Sequence, residues 1–589
     1  MILFPVPKSL TLTEGTCPAA APVNVVTDAA LGNEEYKIDI TAAGVTLTTS
    51  CDEGTFRAKT TLKQITAQNP DALPCLSIHD WPDFPNRGLW YQCAGRVPTV
   101  ETMKKHIDFL ADMKVNNLHL GVSDHPSMKA QPETPVKLTQ AEMMELTAYA
   151  SERYMHLVPN VQTFGHIEPW LALPEYADLA ECPDGYDMWG THRRPSTLNP
   201  LDPRSQEFVK ELLKDVIPIC DGEGMINIGC DETWELGQGK SKEECERLGK
   251  TRVFLNFVTD TINYLLENNI KPMFWADIIL QGSQEVLNDI PKESIALNWG
   301  YERWEVTEDS CIRMEKTGVP YWNCPGTSNW NSMLAQSYKA MQNIARCAVL
   351  GKRHGASGLL NTDWPDRCLH HFSPSYVGLA YGAAMGWTVA ESDWVPIEPY
   401  ECKDDLHAIV EPNAAQIVKV SPTMASCFDY LNKFVYQDKK NNMAQIAYDA
   451  GLYGHISTHA SIHNTTTLRR ILDQDHAKKD VYGYDAKDFY DTRDYLEVIN
   501  YRLAHHQAMA CEDAQDIIDE YHDAINMLQY AVDLALSYVG DLQGYSEEAF
   551  AEMMRTQGED VIREHERVWM LRNKGTMPET RRHFQHFAE

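Results

Sequence analysis

Apolar and polar positions alternate with a period of two in YKIDITAAGVTLTTS, residues 36–50, as they do in strands buried on one face. A turn signal at Glu53-Gly54 follows, and Phe56, Leu62 and Ile65 then fall on one face of a helix over 56–65. The Pro-rich stretch DALPCLSIHDWPDFPNRG breaks this pattern and reads as a connector. Residues 1–85 are therefore expected to form a small α/β domain. From residue 87 onward, short apolar runs alternate with helical stretches. The strand candidates are 87–93, 117–122, 156–162, 225–230, 272–276, 295–299, 319–323 and 358–362. Several are continuously apolar, as strands covered on both faces are. Between them, Met103, Ile107 and Leu110 make one stripe of a helix over 100–114. Thr139 with Glu142 forms a capping box, with Leu138 and Met143 placed as its staple. Eight such units predict an α/β fold with a (β/α)8 TIM barrel over 86–395. A doubly wound open sheet is the alternative, disfavoured by the lack of a Gly-rich phosphate loop.

Past residue 400 the strand pattern fades. Ile517, Tyr521, Ala524, Leu528, Ala531 and Ala535 step by four and three, which is one buried stripe of a helix. A second helix is expected from Ser546, stopping near Gly575 as a C-cap. The region 400–589 is thus expected to be mostly helical. Packing against the barrel and homo-oligomerisation through this region both stay open.

Charge and cysteine usage narrow the partners. A net charge of −32 repels nucleic acid and anionic membrane surfaces. No apolar run is long enough for a transmembrane helix, and MILFPVPKSLTLTEG lacks the pattern of a signal peptide. The 15 cysteines are odd in number and none forms a CxxC, which argues against a disulfide framework and a zinc ribbon. Reduced thiols in a cytoplasm are expected. Neither HxH nor HExxH occurs, so no metal or other cofactor is expected.

A TIM barrel builds its active site at the C-terminal ends of its strands. The polar residues just past the candidate strands are His166 and Glu168, then Asp231-Glu232, then Asp277, then Asp363 and Asp366. Trp275, Trp299, Trp322 and Trp364, with Tyr321, fall at neighbouring strand ends. Aromatic faces stack on a pyranose while carboxylates bind hydroxyls and move protons, so this rim suits a sugar pocket. Asp231-Glu232 is its centre. An adjacent Asp-Glu pair is usually solvated surface, but this one follows the apolar run MINIGC. Adjacent residues of a regular strand point to opposite faces, so both reach one pocket only if the chain bends, and Gly229 permits that. Mutual repulsion in an apolar setting should raise one of the two pKa values.

At this point a resemblance becomes specific. INIGCDETWELGQG resembles the catalytic strand of glycoside hydrolase family 20, the β-N-acetylhexosaminidases. DWPDFPNRGLW, LVPNVQTFGHIEPWL and FRAKTTLKQI resemble that family's first barrel strand, third barrel strand and preceding α/β domain. PGTSNWNS and LNTDWPD resemble the seventh- and eighth-strand region of its hexosaminidase D-like branch. The likeness runs over residues 1–390 and implies exo-acting release of terminal β-linked GlcNAc or GalNAc from a glycan or glycoconjugate. It implies substrate-assisted retention, in which the acetamido carbonyl attacks its own anomeric carbon and gives an oxazolinium ion. That route departs from the two-carboxylate scheme. The resemblance makes Glu232 the general acid and base, Asp231 the orienter of the acetamido group, and His166 a member of their hydrogen-bonded network. It makes Trp275, Trp299 and Trp364 walls around the N-acetyl methyl, with Arg96 and Asp366 binding sugar hydroxyls. Either Tyr321 or Trp322 takes the place of the family tyrosine. Arg96 is spaced one residue further than the family pattern, His125 follows Asp124 where a second Asp is common, and Asp366 is shorter than the usual glutamate. A metal-dependent barrel hydrolase and a non-catalytic sugar-binding protein are the competing classes.

Overall fold

The computed structural model describes residues 1–575 apart from 94, 135, 221, 223, 303, 331, 365–368, 395–420 and 453–465, together with residues 581 and 584. Its N-terminal part is a five-stranded sheet in the order β1-β5-β3-β4-β2. The strands are β1 (Ser9–Pro18), β2 (Val23–Thr27), β3 (Tyr36–Thr41), β4 (Gly44–Thr49) and β5 (Ala72–Asp80), with the helix Asp52–Gln68 packed on β3 and β4. The alternating stretch 36–50 is the β3–β4 hairpin, with Tyr36, Ile38 and Ile40 buried. The stretch read as a Pro-rich connector begins instead with β5. Pro74 lies outside the β3 pairing, which runs only from Leu76 to Asp80, and it faces Thr16 of β1 at the edge of that ladder's register shift.

Eight parallel strands then close into a barrel: β6 (Asn86–Tyr91), β7 (Asn117–Gly121), β8 (His156–Asn160), β11 (Met225–Asn227), β12 (Lys271–Trp275), β13 (Ile295–Trp299), β14 (Tyr321–Cys324) and β15 (Gly358–Asp363). Each overlaps one expected strand. A small hairpin, β9 (Tyr186–Met188) and β10 (Thr191–Arg193), is inserted between β8 and β11. Side chains alternate inward and outward along every barrel strand. Trp90, Met273, Trp275, Ile295, Leu297, Trp322 and Leu360 fill the interior, while Leu89, Leu118, Phe274, Ala296 and Tyr321 pack under the surrounding helices. The helices between strands follow their stripes. Val100–Asp112 buries Met103, Ile107 and Leu110. Gln140–Ser151 starts with both hydrogen bonds of the Thr139/Glu142 capping box, and Leu138 and Met143 are buried beside it.

Arg87 ties the N-terminal sheet to the barrel. Its buried guanidinium donates to Glu34 and to the Lys114 carbonyl, while Lys114 in turn meets Asp80 at 3.1 Å. The C-terminal part is helical, with Ala486–His505, Ala514–Tyr538 and Glu547–Trp569 packed side by side. The helix Glu547–Trp569 begins where expected, with the Ser546 side chain capping it, but it ends at Trp569 with Met570 as its C-cap. Gly575 does not cap it; its carbonyl accepts the Trp569 indole N–H instead. Among the described residues, no helix is long and apolar enough to cross a membrane.

Candidate active site

The site grows from the end of β11. The strand is short, and Gly229, Cys230 and Glu232 then take positive φ values of 68°, 73° and 50°. This bend is the one the sequence needed, because it brings the side chains of Asp231 and Glu232 to the same cavity. Positive φ at two non-glycine residues stores backbone strain, which neighbours must hold in place. Gly165 allows one such contact: a Cβ there would stand 2.3 Å from the Asp231 carbonyl oxygen. Asp277 supplies another, since its Oδ2 accepts the Glu232 backbone N–H at 3.0 Å.

His166 bridges the pair. Its Nε2 lies 3.4 Å from Asp231 Oδ2 and 3.4 Å from Glu232 Oε2. Gln162 Nε2 donates to the other oxygen of Asp231 at 3.1 Å. Burial alone would lower the His166 pKa, but the Asp231 charge and bonds to both carboxylates raise it well above the ordinary histidine value. Burial would likewise raise Asp231, yet His166 and Gln162 outweigh it and hold the carboxyl below its usual range. Asp231 is thus an ionised partner of a charged imidazole. A raised carboxyl stands beside the pair: burial, then the Asp231 charge, push Asp277 up to about 7. His125 is not the partner of His166, and Asp124 is occupied by Lys137 at 2.6 Å and the Gln140 N–H.

Around this centre the barrel mouth forms a cavity of about 750 Å³. Trp275, Trp299 and Trp364 line it, joined by Trp90, Trp330, Trp234 and Tyr301. Trp90 and Trp364 lie 3.8 Å apart between ring centroids, and Trp299 stacks on Tyr301 at 5.2 Å. Burial first, then nearby acidic groups, raise the Tyr301 pKa, so its phenol stays a neutral hydrogen-bond donor. Gln92, Glu302 and Glu305 add polar groups to the lining.

Three expected residues lie elsewhere. Tyr321 is outward-facing, and its hydroxyl donates to the His354 carbonyl at 2.9 Å under the helical layer. Trp322 points inward but is fully buried in the interior cluster, with its ring against His119 and Gly358. Strand parity decides both: Trp322 and Cys324 face in, so Tyr321 must face out. The tyrosine at the cavity is Tyr301, two residues past Trp299, a position the same parity would have flagged. Arg96 follows Gly95, whose φ of 82° turns the chain behind the cavity wall. There it binds Asp363 Oδ2 at 2.7 Å and lies over the Tyr91 ring, outside the cavity lining. Asp366 falls outside the described residues. Trp90 and Gln92 were missed, although Trp90 faces inward on β6 and Gln92 follows two residues later, just past the strand's end.

"Glycosyl hydrolase family 20, catalytic domain" matches residues 84–328, and "Glycosyl hydrolase family 20, domain 2" matches residues 4–81. The chain belongs to glycoside hydrolase family 20. The family-20 matches thus cover both the N-terminal sheet and the loop after β11 that carries Asp231 and Glu232. A beta-N-acetylhexosaminidase of Cellulomonas fimi is 25% identical over 255 residues, 40% of this chain and 51% of its own. A beta-hexosaminidase of Akkermansia muciniphila is 25% identical over 285 residues, 42% of this chain and 56% of its own. The chain therefore spans about half the length of these curated relatives. The solved Flavobacterium johnsoniae chitobiase shares the fold with a TM-score of 0.55 at 16% identity, over 96% of this chain and 99% of that one. A Bacteroides fragilis beta-N-acetylhexosaminidase structure gives 0.53 at 17% identity, over 66% of this chain and 91% of that one.

Proposed function

We propose that this family-20 chain is an exo-acting β-N-acetylhexosaminidase that cleaves terminal β-linked 2-acetamido sugars with help from the substrate. One observation carries the reading: His166 lies 3.4 Å from both Asp231 and Glu232 at the mouth of an aromatic-walled cup. In this scheme the sugar sits between Trp275, Trp299 and Trp364. Glu232 gives its proton to the leaving oxygen as the glycosidic C–O bond breaks. The acetamido carbonyl oxygen forms the new bond to the anomeric carbon, giving a cyclic oxazolinium. Asp231 accepts the acetamido N–H and offsets the positive charge that develops there. Tyr301, in place of Tyr321, donates to the acetamido oxygen. Glu232 then takes a proton from the water that opens the ring, which regenerates the acid and retains the configuration. Gln92 and Glu302, rather than Arg96, supply contacts to sugar hydroxyls, with Asp366 kept from the sequence reading. A reducing compartment belongs to the same proposal, supported by the free thiols of the 13 described cysteines.

The test is a rate comparison on chromogenic glycosides. Glu232→Gln is expected to cost about 10²- to 10⁴-fold in turnover, and Asp231→Asn less. Aryl 2-acetamido glycosides should far outrun 2-hydroxy ones. Equal rates on the two would remove substrate assistance from the scheme.

A further inference from the structure

The β9–β10 hairpin turns through Trp189 and Gly190, which both have positive φ, 52° and 75°. That pattern suits the mirror-image hairpin turn, where Asn, Asp or Gly is the usual first residue. A bulky side chain there is a backbone outlier, and such outliers point toward a function. Trp189 is also 68% exposed, so strain comes together with apolar surface left in water. Its ring meets Trp234 edge-on, with centroids 5.6 Å apart at 64°. Trp234 follows Glu232 by two residues and lines the cavity. The hairpin is pinned to that same loop. The Glu235 carboxylate accepts the backbone N–H groups of Ser196 and Thr197 at 3.0 and 2.7 Å. Glu181 accepts the N–H and hydroxyl of Ser241 from the other side. An exposed tryptophan and a half-buried one are thereby held just outside the proposed proton donor, and a site fixed in advance loses little entropy on binding.

We propose that Trp189 and Trp234 form a platform for the leaving part of a β-linked oligosaccharide, beyond Glu232. The proposal rests on the glycosidase reading, because that reading places the terminal sugar in the cup and sends the rest past Glu232. The apolar face of a pyranose fits an aromatic plane, whereas the chain's net charge of −32 disfavours a polyanionic glycan. The ligand class is therefore a neutral oligosaccharide or its conjugate, at least one sugar longer than the unit released.

Calorimetry in the Glu232→Gln background decides it, comparing N-acetylglucosamine with its β-1,4-linked trimer. The trimer should bind about tenfold more tightly, a difference of about 1.4 kcal/mol. Trp189→Ala should erase most of that gain and Trp189→Tyr should keep most of it, with the thermal midpoint unchanged in both. A gain that survives Trp189→Ala, or no gain at all, overturns the platform. Turnover of an aryl 2-acetamido glycoside by the unaltered chain is measured separately. Its absence would count against the glycosidase reading, while the binding comparison would still decide the platform.

Discussion

At the scale of single residues, two tyrosines exchange roles. Tyr321 spends its hydroxyl on the His354 carbonyl, whereas Tyr301 stands in the cavity against Trp299. Removing one hydrogen-bond donor aimed at developing charge costs about a hundredfold in rate. Tyr301→Phe should therefore lower kcat by about that factor, while Tyr321→Phe should leave kcat within twofold and cost about 1 kcal/mol of stability. Steady-state kinetics with thermal unfolding on both variants separates these outcomes, and a reversed pattern would restore Tyr321 to the site. The sequence offered Tyr321 or Trp322 for the tyrosine's place and did not single out Tyr301, because a one-residue shift in register inverts every side chain. Arg96 illustrates the same limit: its distance along the chain was readable, but the turn at Gly95 that sends it behind the wall was not.

At the scale of elements, the decisive feature is the bend after β11. Gly229 has φ of 68°, and a Cβ at that position would lie 1.8 Å from Gln162 Oε1. Gln162 is the residue that positions Asp231. Gly229→Ala is thus expected to cost more than about 1 kcal/mol in stability. Its larger effect should be on turnover, by tenfold or more, because the shifted Gln162 carries Asp231 with it. Unchanged kcat with a lowered unfolding midpoint would show that the bend serves folding alone. The bend was anticipated from the glycine and the adjacent carboxylates, since no regular strand can aim neighbours at one pocket. The raised pKa of Asp277 was not anticipated, because its cause is burial beside Asp231 across two separate strands.

At the scale of the whole molecule, the C-terminal helices are locked to the barrel through buried charge. Asp523 on the helix Ala514–Tyr538 takes His371 and His565 at 2.6 Å each, and Arg572 bonds Glu520 nearby. Ligands around a tetrahedral metal with bonds of about 2.1 Å sit roughly 3.4 Å apart. The 2.6 Å spacings are therefore those of a hydrogen-bonded His–Asp–His cluster. Burial would raise Asp523, but the two histidines depress its pKa to about 2. A depressed carboxylate stabilises the fold above its unfolded value of about 3.9, and that contribution fades as pH falls toward the folded value. Asp523→Asn should cost about 3 kcal/mol at neutral pH, as breaking a buried pair does. The gap to the unaltered chain should narrow between pH 4 and pH 2 in denaturant titrations. A gap independent of pH would assign the loss to packing and not to charge.

Local pattern alone determined the eight strands, the capping box at Thr139, the helical C-terminal stripe and the pairing of Asp231 with Glu232. All of these follow from periodicity or from neighbours within a few residues, which a linear chain displays directly. Closure of the barrel decided the rest. It set which face of β14 turned inward, sent Arg96 behind the wall, gathered Trp90, Tyr301 and Gln92 at the mouth, and raised Asp277. Those outcomes depend on register, burial and charge between segments far apart in the chain, quantities that come into being only when the strands meet.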